Sequence, residues 1–176
     1  PRRVMADYLI LTLCWGARKG EASRLKVADI DFEREFVVFR DTKTKVEHCF
    51  PLTPACATLL RKRIEDNNLP RGREVEKAAK GEPHYIPEWV FPSQRRGKHI
   101  TNPAGVLEVA ASASGLKATT YDLRRGFAGA IAVDALVGEN NQATGNFGLV
   151  KLAMNHADMN SDVTQGYIMI KPKLAI

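Results

Sequence analysis

The chain has 176 residues, 44% hydrophobic and 26% charged, and Lys plus Arg outnumber Asp plus Glu by 26 to 20 for a net charge of +6. That apolar content can bury the core of one ordinary domain and excludes wholesale disorder; no run nears the ~18 apolar residues of a membrane span, and no signal peptide is visible. The cationic excess suits a polyanion such as nucleic acid, although many basic proteins bind none.

Cys14, Cys49 and Cys56 form no CxxC pair and are odd in number, which points to reduced thiols and a cytoplasmic location. Cys14 stands in an apolar run and is expected to be buried. The sequence opens at Pro1 directly in a helical pattern, so a single domain over 1–176 is expected, cut from a longer protein.

Val4, Met5, Tyr8, Leu9, Ile10, Leu11 and Leu13 predict a buried helix over residues 4–15. Gly16-Ala17-Arg18-Lys19-Gly20-Glu21 interrupts it, and a second short helix runs through Leu25 towards Val27. Arg18 sits between two glycines on a tight connection, either solvated or held with its head facing a cleft, and Glu21 is spaced to pair with it. Residues 36–39 and 46–52 are rich in β-branched and aromatic side chains and flank the polar stretch 41–45, which predicts an antiparallel hairpin. Lysines at such a tip are commonly solvated or protect an edge. Residues 54–67 predict a helix with a basic face of Arg61, Lys62 and Arg63. Residues 69–87 read as a charged loop or insertion whose Arg71, Arg73, Lys77 and Lys80 either lie against a phosphate backbone or stay solvated. Residues 89–92 return to the core, a basic turn follows over 93–98, and Thr101 is a candidate cap for a helix ending near Gly115.

The stretch 119–128 places Arg124 and Arg125 near the start of another helix, with Leu123, Phe127, Ala130 and Ile131 at apolar spacing and Thr120 or Asp122 as its cap. A guanidinium is always charged and presents a rigid fork that fits phosphate. The helix dipole disfavours a cation there, so an anionic partner is expected: a phosphate, or a carboxylate in a structural Arg–Asp pair. A loop over 138–148, a short apolar helix over 147–154 and an amphipathic helix over 162–170 complete a fold that is mainly α with a small antiparallel β-sheet (α+β). Walker A, GxGxxG, HExxH and GxSxG sequences are absent, and His48, His84, His99 and His156 lack zinc spacing, so no cofactor, metal or nucleotide is expected.

Together, these segments resemble the catalytic domain of the tyrosine recombinases, the phage-integrase family. Residues 16–21, with Leu25 and Asp29-Ile30-Asp31, resemble its first arginine box, and Thr42-Lys43-Thr44-Lys45 with Pro51-Leu52 its lysine hairpin. Tyr121-Asp122-Leu123-Arg124-Arg125 resembles the second box, commonly His-Asp-Leu-Arg-Arg; Met154-Asn155-His156 and Val163-Thr164-Gln165-Gly166-Tyr167 resemble the last two. The five occur in the family's order over nearly the whole chain.

The resemblance implies that Arg18 and Arg124 clamp the scissile phosphate, Lys43 protonates the leaving 5′-oxygen with Lys45 as its rival, His156 hydrogen-bonds the phosphate, and Tyr167 is the nucleophile. Tyr121 stands where the family most often has histidine, and Arg125 reads as structural or as a backbone contact. It also implies a double-stranded DNA partner, a homotetramer on DNA for the full-length protein, and a cytoplasmic, nucleoid-associated location, with no membrane or nucleotide partner. The expected activity is site-specific recombination through a 3′-phosphotyrosine, for integration or excision of a prophage or mobile element. The alternatives are a type IB topoisomerase-like or chromosome-resolution enzyme, and a cleavage-inactive DNA-binding module. Departures from the family pattern include a long interval from Arg124 to His156, a stretched interval from His156 to Tyr167, and an absent N-terminal DNA-clasping domain.

Overall fold

Val4, Tyr8, Leu11 and Trp15 recur at helical spacing and are all buried along one side of α1 (Arg2–Trp15). The structure, a computed structural model, describes residues 2–40, 47–70, 72, 74–136 and 153–154. After α1 come α2 (Lys19–Ser23), a 3-10 turn (Val27–Asp29), and strands β1 (Ile30–Asp31), β2 (Phe36–Phe39) and β3 (His48–Pro51). Then follow α3 (Pro54–Asn68), α4 (Glu74–Ala79), α5 (Ala104–Ser114) and α6 (Thr120–Leu136). The described chain is mainly helical with one small antiparallel sheet, as its sequence predicts.

The strands pair in the order β1-β2-β3, with Val37 opposite both Ile30 and Phe50, and Phe39 opposite His48. Val37, Val38, Phe39 and Phe50 are buried, where β-branched and aromatic groups fill a pleated surface well. β1 adds a third strand to the predicted hairpin; its two residues are too few to show an alternating pattern. The hairpin tip, 41–46, lies outside the described residues. At its base Arg40 donates to Asp29 Oδ1 at 2.8 Å and to Glu47 Oε1 at 2.7 Å. Edge-to-face contacts run from Trp15 to Phe39 (5.6 Å), Phe39 to Phe50 (5.8 Å) and Phe50 to Phe127 (6.0 Å), so one aromatic row joins α1, the sheet and α6.

Thr53 caps α3 by accepting from the Cys56 N–H at 3.3 Å, and Pro54 follows as the first helical residue. The buried positions of α3 are Cys56, Leu60, Arg63 and Asn67, again at helical spacing. Arg63, expected on a basic face, therefore turns inward. Its Nε lies 3.0 Å from Asp7 Oδ2, and the two side chains are only 2% and 9% exposed. Its Nη2 lies 2.6 Å from Asp66 Oδ2. Burial pushes the Asp7 carboxyl above its usual pKa, with Arg63 pulling in the opposite direction.

Three further expectations are corrected. Cys14 falls off the buried stripe of α1 and is exposed, whereas Cys56 is the buried thiol. Thr101 does not cap α5: Asn102 Oδ1 accepts from the Ala104 N–H at 3.1 Å, and the helix stops as predicted at Gly115, whose φ is 71°. The cap of α6 is Thr119, whose Oγ1 accepts from the Asp122 N–H at 3.2 Å. In return Asp122 Oδ2 accepts from the Thr119 N–H and hydroxyl at 2.8 and 2.7 Å, a reciprocal box that closes the first turn. Within 69–87, read as a charged loop or insertion, Glu74–Ala79 form α4. The loop read over 138–148, the helix over 162–170, and all but the last two residues of the helix over 147–154 lie outside the described residues.

Two predictions concern these polar contacts. Arg63→Met should destabilise the protein by about 3–5 kcal/mol, because Asp7 would be left as an uncompensated buried charge. Urea denaturation of that variant, and of Arg63→Met with Asp7→Leu, should show most of the loss recovered in the double variant. The second concerns Asp122, whose pKa is lowered by the hydrogen bonds from the Thr119 hydroxyl and then from its N–H. A depressed folded pKa means that this box stabilises α6 above the ordinary aspartate value of 3.8 and is lost as pH falls through the folded value. Carboxyl NMR titration should place the Asp122 midpoint below 3.8, moving up in Thr119→Ala.

Candidate active site at the α1–α2 bend

The end of α1 carries backbone carbonyls that no following helical turn can satisfy. Gly16 ends it in the left-handed region at φ +56°, where a side chain is strained. A Cβ at Gly16 would also lie 2.1 Å from Phe127 Cδ1, so the ring of α6 occupies the space that only glycine leaves open. Through this close approach the guanidinium of Arg124, one turn into α6 and 5% exposed, reaches the bend. Its Nη1 donates to the Gly16 carbonyl and its Nη2 to the Met154 carbonyl.

Arg18 lies two residues beyond that carbonyl. It is the capping residue of α2, and Glu21 holds it twice: Oε1 accepts from Arg18 Nη1 at 2.8 Å and Oε2 from the Arg18 N–H at 3.1 Å. Glu21 is buried while the Arg18 side chain stays a quarter exposed, so a fixed carboxylate orients a cation that still meets solvent. The pairing anticipated between Arg18 and Glu21 is present. Tyr8 supports the same bend from below by donating to the Lys19 carbonyl at 3.0 Å, and burial pushes its pKa up to about 12, so it remains a neutral donor.

The structure thus brings Arg18 and Arg124 to one bend. Part of the charge of Arg124 is answered by two carbonyl dipoles, and Asp122, the carboxylate of the anticipated structural pair, is engaged by Thr119. Tyr121, three residues before Arg124 on α6, is 50% exposed, with the Arg125 guanidinium 6.0 Å from its ring centroid. Lys43, Lys45, His156 and Tyr167 lie outside the described residues. Sequence reasoning missed the parts played by the Gly16 carbonyl, Phe127 and the Met154 carbonyl. The glycine after an apolar helix was the visible signal, but the residue filling its space is more than a hundred positions away.

Among the described residues no three His, Cys, Asp or Glu side chains come together to hold a metal ion. No helix of the described residues is long and apolar enough to cross a membrane. Fixed cations such as those at the bend are able to stabilise negative charge that develops on a nearby oxygen.

Gly16→Ala should lower stability by about 1–3 kcal/mol, since it combines a disfavoured backbone conformation with a clash against Phe127. Thermal denaturation would read this, and Phe127→Ala on the Gly16→Ala background should remove the clash but not the backbone penalty.

No curated protein sequence matches the chain. Its fold is similar to that of a XerH site-specific recombinase solved in a post-cleavage complex with palindromic difH substrate, with a TM-score of 0.70 at 18% identity over 97% of this chain and 43% of that one. It is also similar to XerA recombinase (TM-score 0.64, 17% identity, 97% of this chain and 58% of that one). A third likeness is the Tn1549 transposon integrase in complex with circular intermediate DNA (TM-score 0.60, 16% identity, 94% and 53%). The chain therefore spans 43–58% of the length of these three proteins. At these identities the likeness is one of fold. The sequence pattern of the phage integrase family matches residues 3–137, and with this match over most of its length the chain belongs to that family.

Proposed function

We propose that this chain is the DNA-cleaving part of a site-specific recombinase that breaks and rejoins strands through a 3′-phosphotyrosine. The observation that carries the reading is the convergence of Arg124 and Arg18 on the bend at Gly16, one cation buried and tied to the backbone, the other oriented by Glu21 and open to solvent. Two fixed guanidiniums suit a phosphodiester, whose non-bridging oxygens gain negative charge when the phosphorus is attacked.

In this reading the Tyr167 hydroxyl gives its proton to water, its oxygen attacks phosphorus, and the bond to the 5′-oxygen breaks. Lys43, or its neighbour Lys45, gives that oxygen a proton. The free 5′-hydroxyl of the same or another strand later reverses the step, so the energy of the bond is retained in the phosphotyrosine and no nucleotide is consumed. His156 donates a hydrogen bond to the phosphate. The carbonyl of Met154, two positions before His156, accepts from Arg124, which supports a place for that segment beside the same phosphate. Tyr121 can donate a hydrogen bond from an exposed position but is a poor base at neutral pH. The substrate is double-stranded DNA, engaged by a homotetramer of the full-length, cytoplasmic protein, and the task is integration or excision of a prophage or mobile element. The DNA-bound recombinase and the transposon integrase of similar fold support this reading.

The exposed tyrosine at a position where the family most often carries histidine favours one second reading, a DNA-binding module that no longer cleaves. Covalent trapping separates the two. The full-length protein on a nicked copy of its recombination site should give a protein–DNA adduct that survives denaturant. Tyr167→Phe should abolish the adduct while leaving DNA binding, and its salt dependence, intact. Binding without an adduct from the unmutated protein would establish the binding module instead.

A further inference from the structure

Arg18 stands between two backbone carbonyls that other elements hold. On one side the Gly16 carbonyl, two positions before it, accepts from Arg124. On the other the Lys19 carbonyl, next in the chain, accepts from the Tyr8 hydroxyl at 3.0 Å. That second bond crosses from the middle of α1 to the first residue of α2. Five residues make α2 too short to be held by its own backbone bonds. Glu21 fixes the Arg18 side chain within the turn that both residues share. It does not fix that turn relative to α1, and there the Tyr8 bond acts.

The donor itself is immobile. Tyr8 is fully buried on the packed side of α1, and its ring meets Phe91 edge-to-face at 5.4 Å. One turn on, Thr12 Oγ1 donates to the Tyr8 carbonyl at 2.7 Å. A phenylalanine would fill the same space in this core, so packing alone does not call for the hydroxyl. A buried hydroxyl is costly unless it is hydrogen-bonded, and its bond goes to the residue next to Arg18.

We propose that Tyr8 is a positioning residue for strand cleavage: by holding the Lys19 carbonyl, its hydroxyl sets where the Arg18 guanidinium meets the phosphate. The inference rests on the strand-cleavage reading above. A cation displaced from the non-bridging oxygens stabilises less of the charge that develops there. The effect therefore falls on the rate of cleavage and spares DNA affinity, which many backbone contacts share.

Tyr8→Phe in the full-length protein, on the nicked recombination site, should form the covalent adduct about tenfold more slowly at saturating protein, with the Kd for the site within about twofold. A second substrate carries a methylphosphonate at the cleaved linkage, where a methyl group replaces one non-bridging oxygen and leaves the linkage neutral. The placement of Arg18 then has little charge to act on, and the two proteins should react within about twofold of each other. Thr53→Ala, which removes the cap of α3 and none of the bonds at the bend, should lower the melting temperature without slowing the adduct. An unchanged rate in Tyr8→Phe on the native linkage would overturn the inference. So would an equal loss on both linkages, or the same loss in Thr53→Ala, since either marks a purely structural role. No adduct from the unmutated protein on the native linkage would instead overturn the strand-cleavage reading, and this inference with it.

Discussion

The grip of α6 on the bend after α1 is the contact on which the candidate site depends. A guanidinium one turn into a helix is poorly placed with respect to the helix dipole and costly to bury. It persists here because carbonyls at Gly16 and Met154 accept from it, and because Phe127, one turn along, fills the space over a glycine that has no side chain. Glycine satisfies two constraints at once: a positive φ that ends α1, and contact with an aromatic ring. Arg18 gains its orientation from a bend that is fixed on one side by Arg124 and on the other by Glu21.

The remainder of the core keeps that bend in place. The aromatic row from Trp15 to Phe127 passes through β2 and β3, so α1 and α6 are joined through the sheet as well as directly. The Arg63–Asp7 pair locks α1 to α3 on the other side. Buried ion pairs of this sort add little net stability, but they penalise alternatives that leave either charge without its partner. The pair therefore specifies the register of two helices more than it strengthens their packing. The raised pKa of Asp7 agrees with this, since desolvation outweighs the attraction of Arg63.

Much of this was legible in the amino-acid order. The apolar spacing of α1, the hairpin strands, α3 and α6 is strong, and each element lies where its pattern predicts to within a few residues. The pairing of Arg18 with Glu21 is a local, three-residue relation, and spacing alone suggests it. Errors arose where a choice depends on a single hydrogen bond or on a side chain's azimuth around a helix. Thr119 rather than Thr120 caps α6, and Asn102 rather than Thr101 supports the start of α5, because either neighbour has the right chemistry and only backbone geometry decides. Arg63 and Lys62 look alike in sequence, yet the helical period buries Arg63 against Asp7 and Asp66 and leaves Lys62 half exposed beside Glu65 and the other oxygen of Asp66. The use of Gly16 as an acceptor for Arg124 was not legible, since a carbonyl has no sequence signature.

That last bond joins positions 108 apart in the chain. Closing so long a loop carries an entropic penalty that local helices and hairpins do not meet. During synthesis from the N-terminus, α1, the sheet and α3 all emerge before α6, and their shared core can begin to form while Gly16 still lacks its guanidinium. The bend that orients Arg18 is thus completed only after Phe127 and Arg124 have left the ribosome. Chain maturation itself thus delays the pairing of the bend with its guanidinium until α6 has been made.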